Sequence, residues 1–98
     1  MAPTLTHEIL LPHVGSTFTV SVDGTPGLPL ELIAVTPRGQ RHPASTRDPF
    51  VVLFRGPVAP ILPQATYPFE HPVLPPLEVF IVPVGRTAAG VEYEAVFG

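Results

Sequence analysis

The chain has no cysteine and no lysine, and only 13% of its 98 residues are charged. Without cysteine it can form no disulfide scaffold, no thiol nucleophile and no thiolate metal site, so the core alone must supply stability. Without lysine its five basic residues are all arginine, and eight acidic residues leave a formal charge of −3. Nucleic-acid affinity is built from many Lys and Arg contacts to phosphate, so nucleic acid is not expected as a partner. No apolar run approaches the roughly 18 to 20 residues that cross a bilayer, which excludes insertion through an apolar helix. The first residues lack a basic segment followed by a sustained apolar one, so no secretory signal is read and the cytoplasm is the expected compartment, with incorporation into an exported or surface assembly left open.

Catalytic signatures are absent as well. There is no phosphate loop, no Gly-rich dinucleotide fingerprint, no Gly-x-Ser-x-Gly elbow and no His-Glu-x-x-His helix. His7, His13, His42 and His71 are dispersed with no local metal-ligand spacing. The expectation is a chain that is not an enzyme, with no cofactor and no metal.

What is present is apolar residue and proline. Apolar residues make up 45% of the chain and mean hydropathy is positive, which suits one folded domain over residues 1–98 and argues against disorder. Fifteen prolines are too many for a helical domain of this length, because an interior proline costs a helix about 3 kcal/mol. Short strands between turns accommodate them.

Residues 16–22 alternate, with Phe18, Val20 and Val22 on one face, and predict a half-buried strand. After the turn residues Asp23-Gly24 and Pro26-Gly27, residues 28–36 predict a second strand. Leu30, Leu32 and Ala34 share one side of it, and Ile33 and Val35 the other. Residues 37–49 have the composition of a long, mobile loop and carry Arg38, Arg41, His42 and Arg47, a small basic cluster read as solvated. The continuous apolar run 50–54 predicts a central strand covered on both faces. A proline-rich connection follows, then strands at 67–71, 77–84 and 91–97. Pro68 and Pro72 blunt one side of 67–71, which marks it as an edge strand, and Pro83 marks a bulge or an edge in 77–84. Near the N-terminus, Thr6 could cap a helical turn through Leu11, stopped by Gly15, with Pro12 forbidding a regular continuation.

Among polar residues Arg55 stands out, because it follows the most apolar run, where an unpaired guanidinium would be costly. It needs an acceptor, and Glu94 is the first choice over Glu70, Glu78 and Glu92. Tyr67, Tyr93, Glu70 and His71 contain the residue types of a general acid–base group, but their spacing does not bring them together. The two tyrosines are read as residues of the core rim whose hydroxyls reach water or backbone.

The second half of the chain resembles a small bacterial domain family of unknown function. The resemblance rests on FVVLFRGP at 50–57, LPQATY at 62–67, FEHP at 69–72, LEVFIVPVG at 77–85 and YEAVF at 93–97, with Gly15 followed by Thr17-Phe18 upstream. Arg55, Gln64, Tyr67, Glu70, His71, Tyr93 and Glu94 are the polar positions it matches. Some such domains are encoded near phage-tail-collar-like proteins, so the resemblance implies an assembly component; it implies no activity.

Together these readings give a mainly β domain, a small β-sandwich or partly open β-barrel of about six strands with an optional short N-terminal helical turn. The expected function is a non-catalytic structural or interaction module, for which the resemblance implies a phage-tail-like or surface assembly. It would dock onto protein, either copies of itself or a larger partner. The alternative is a small ligand-binding β domain.

Overall fold

A computed structural model describes residues 7–22, 27–37 and 50–97. A four-residue helix, α1 (His7–Leu10), runs into a 3-10 turn at Leu11–His13. Six strands follow: β1 (Thr17–Val20), β2 (Leu28–Pro37), β3 (Phe50–Gly56), β4 (Ala65–Glu70), β5 (Leu77–Thr87) and β6 (Gly90–Phe97). They form one antiparallel ring in the order β1-β2-β3-β6-β5-β4, which closes as an irregular barrel. The mainly β architecture of six strands with a short N-terminal helical turn is as the sequence suggested, and the ring is not a regular barrel.

Closure depends on the two longest strands. β2 pairs with β1 over residues 28–31 and with β3 over residues 31–37. β5 pairs with β4 over residues 77–81 and with β6 over residues 82–87. Each therefore turns a corner, and each has an irregularity near the change of partner, between Leu32 and Ala34 in β2 and between Pro83 and Gly85 in β5. Bulges of this kind let one strand pass from one sheet surface to the next.

The bulge at Ile33 corrects the expected alternation of β2. Ala34 pairs with Leu53 and Val35 with Val52, so Leu30, Leu32 and Val35 are the buried side chains. An extra residue in the strand moves every later side chain to the opposite face. In β5 the same device falls where Pro83 announced it.

The interior is a single apolar core. Phe18, Val20, Leu30, Leu32, Val35, Phe50, Val52, Phe54, Phe69, Val79, Ile81, Val91, Tyr93 and Ala95 fill it from the strands, and Leu10 and Leu62 from α1 and the β3–β4 connection. Phe18, Phe54 and Phe69 meet pairwise at ring-centroid distances of 5.1 to 6.2 Å. β3 lies between β2 and β6, and the expected cover on both faces is found on one: its inward residues Phe50, Val52, Phe54 and Gly56 are buried, while Val51 and Leu53 are half-buried on the outside.

Two expectations fall differently. The strand predicted at 67–71 is β4, and it is not an edge: it lies between β5 and β1. Its pairing to β1 is nevertheless short, only Thr19 with Glu70 and Val20 with Phe69. The loop expected beyond Pro37, with Arg38, Arg41, His42 and Arg47, lies outside the described residues, as do Thr6 and the turn at Asp23-Gly24. No helix among the described residues is long and apolar enough to cross a membrane.

The β5–β6 hairpin turns at Ala88-Ala89 and re-enters the sheet at Gly90, where φ is +145°. A Cβ there would collide with the Gly56 carbonyl oxygen of β3. Gly90→Ala therefore adds a steric clash to a backbone strain of about 1 to 3 kcal/mol. The variant should lose at least that much stability in urea unfolding, whereas Ala89→Gly on the exposed turn should change it far less.

Candidate functional site

The seam between β4 and β1 is limited by chemistry. The Pro68 carbonyl accepts a hydrogen bond from Ser21 N at 3.1 Å, so the Pro68 nitrogen, which has no hydrogen, also faces β1. The ladder stops there at one end, and at the other, beyond Glu70, side chains continue the seam.

His71, immediately after β4, is the centre of that arrangement. Its Nδ1 accepts from two backbone amides, Val73 N at 3.1 Å and Leu74 N at 3.3 Å. A backbone N–H can only donate, so Nδ1 carries no proton and the neutral ring holds its hydrogen on Nε2. Nε2 then donates to Ser16 Oγ at 3.1 Å, and the Ser16 hydroxyl donates to the His13 carbonyl at 2.6 Å. The ring also meets His13 edge-on at 4.9 Å and lies tilted against Phe18 at 4.7 Å. One imidazole thereby joins the 3-10 turn, β1 and the β4–β5 turn. Burial, and secondarily the neighbouring His13, lower its pKa below the ordinary value of 6.5.

A serine hydroxyl beside a histidine suggests a nucleophile and its base. Here the proton runs the other way. Nε2 has no free lone pair while Nδ1 is held by two amides, and Ser16 spends its own proton on a carbonyl. In this state the pair is a structural relay. Among the described residues no group of three or more His, Asp or Glu is placed to hold a metal.

A second polar feature crosses the outside of the barrel. Glu31 of β2, Arg55 of β3 and Glu92 of β6 are successive cross-strand partners, and Arg55 Nη2 donates to Glu92 Oε2 at 3.1 Å. Glu92, not Glu94, is thus the partner of Arg55. Register decides this: Glu94 stands opposite Leu53 and Val82. Both ion-pair members are partly in solvent, with side chains 34% and 26% exposed, while Arg55 Nε is buried without an acceptor. Arg55, Glu31, Thr17 and Pro57 border an open depression of about 320 Å³.

A family profile matches residues 5–97. The chain belongs to the family described as Domain of unknown function (DUF6916). No curated protein and no solved structure matches it.

The other polar residues singled out in this DUF6916 domain do not converge on one site. Tyr93 is buried in the core rather than at its rim, and its hydroxyl accepts from Leu62 N at 2.9 Å, which anchors the β3–β4 connection. Tyr67 does lie at the rim and donates to the Pro63 carbonyl at 2.8 Å. Gln64 is exposed in the connection, Glu70 is exposed at the end of β4, and Glu94 is half-buried on the outer face of β6. Glu70 and His71 border a shallow depression with Thr19 and Pro72. His13 and Ser16, the partners of His71, were not singled out from sequence, because they are separated from it by more than fifty residues and match no local pattern.

Two substitutions test these roles. Arg55→Ala should cost less than about 1 kcal/mol, as partly solvated ion pairs do, instead of the about 3 to 5 kcal/mol expected of a buried one. Tyr93→Phe keeps the ring but strands the buried Leu62 N–H, and should cost about 1 to 3 kcal/mol. Urea unfolding of both variants checks the ranking: the lost hydroxyl should outweigh the lost guanidinium.

Proposed function

We propose that this DUF6916 domain is a non-catalytic interaction module that docks onto protein through the outer face of β3, β6 and β5. One observation carries the reading. With the core already filled, two outward rows of these strands are mostly apolar: Val51 stands opposite Val96, and the next row runs Ala34, Leu53 and Val82 with Glu94 half-buried among them. Phe80, Val84 and Val96 are each about half exposed, at 50%, 52% and 53%. A contiguous apolar face on a rigid sheet is the usual mark of a docking surface. The ring is closed, so contact runs through this face and not through strand addition to an open edge.

The resemblance to domains encoded near phage-tail-collar-like proteins makes a tail-like or surface assembly the first class of partner to try. The ligand-binding alternative has less support, because the depressions bordered by Arg55 and by His71 are open, whereas small-molecule sites are enclosed.

The test is light scattering after size exclusion at micromolar concentration, with co-expressed assembly components as bait. Association should be lost in Phe80→Glu and Val96→Glu and kept in Val73→Glu, a change on the exposed β4–β5 turn. If the two face variants associate like the parent, this face is not the docking surface.

A further inference from the structure

We propose that His71 is a pH-operated latch, which holds the β4–β5 turn against the end of the barrel at neutral pH and releases it in mildly acidic solution. The inference does not depend on the docking reading above.

The geometry gives the two protonation states different partners. In the neutral ring Nδ1 satisfies both Val73 N and Leu74 N, and Leu74 packs its half-buried side chain against the core. Protonation puts a hydrogen on Nδ1 that points at two other donors, so both bonds are lost at once. Nε2 keeps its hydrogen in either state, and the link to Ser16 survives. The break is therefore directed to the turn at residues 71–74. It falls where the fold resists least, since the adjoining β1–β4 ladder is two residue pairs long.

The surrounding charges do not reverse this. From the 3-10 turn His13 faces the ring, and its own protonation would repel an imidazolium. From β4 Glu70 would attract one, but it is exposed and its field is screened by solvent. Glu8 lies one element further away, on α1. Residues 16–20 and 72–77 bring no ionisable side chain. Linkage sets the pH window: the folded pKa lies below the unfolded value of 6.5, so the stabilisation is complete above that value and is lost as pH falls through the folded pKa.

The experiment is a nitrogen-15 imidazole titration of the intact protein, combined with amide exchange corrected for intrinsic pH dependence. His71 should be neutral at pH about 7.5 with its proton on Nε2, and should titrate below 6.5. Exchange at Val73 and Leu74 should quicken about tenfold or more, relative to core amides, between pH about 7.5 and about 5. His71→Asn, whose side-chain oxygen can accept the same amides but does not titrate in this range, should keep both amides slow at either pH. A proton on Nδ1 in the neutral ring, or exchange at the turn that does not change with pH, would overturn the proposal. So would a folded His71→Asn variant that responds like the parent. Should that variant fail to fold, the tautomer and midpoint measured in the parent still decide.

Discussion

This ring of six strands closes by having two of them serve their neighbours in turn, a demand that shapes the rest of the molecule. β2 and β5 meet it. Each pairs with one strand along its first half and with another along its second, and each contains a bulge near the change. The bulge adds one residue, so side chains on either side of it are out of phase. Those phase shifts place Val35 inside the barrel and leave the Ala34-Leu53-Glu94-Val82 row outside.

Closure also explains why the two joints of the ring differ. β1-β2-β3 and β4-β5-β6 are consecutive antiparallel triplets, joined by β3 to β6 on one side and β4 to β1 on the other. The first joint runs from Phe50 with Phe97 to Gly56 with Val91 without interruption. The second is cut short by Pro68, whose missing hydrogen lies on the side that faces β1. At the opposite end, beyond Thr19 and Glu70, the His71–Ser16–His13 relay continues the joint. Side-chain hydrogen bonds can join elements where a ladder ends, but unlike the ladder these depend on a titratable group.

The parts legible from sequence were those fixed by local patterning. Alternation placed β1 and β6, the apolar run placed β3, and Pro83 located the irregularity in β5, because a proline removes a ladder donor whatever the tertiary setting. The bulge at Ile33 left no comparable mark: LPLELIAVT carries apolar residues on both sides, so period-two counting cannot detect an inserted residue. Pro68 was read correctly as blocking one side of its strand, yet a blocked side need not be an open edge when the neighbouring strand can stop short. Glu94 was preferred to Glu92 as the partner of Arg55 although the two share a face and differ only in register, which local sequence does not fix. The His71 relay was illegible for a different reason, as its members are joined only by closure of the ring.

The positions of these features bear on how such a domain can respond without losing its fold. Proteins open first where buried contacts are few and backbone pairing is thin. Here that place is the β4–β1 joint and the turn that follows it, whereas the apolar outer face lies on β3, β6 and β5, across the longest uninterrupted ladder in the barrel. A partner docked on that face would meet a surface backed by Val52, Phe54, Tyr93 and Ala95, all buried and held in a paired sheet. Little ordering entropy would then be lost on contact. Motion at the His71 end could leave most of the apolar outer face intact, because the two regions share only β5 and, Phe80 apart, the face uses the half of β5 that follows the change of partner. The same corner that closes the ring thus separates a rigid surface from a yielding one within fewer than a hundred residues.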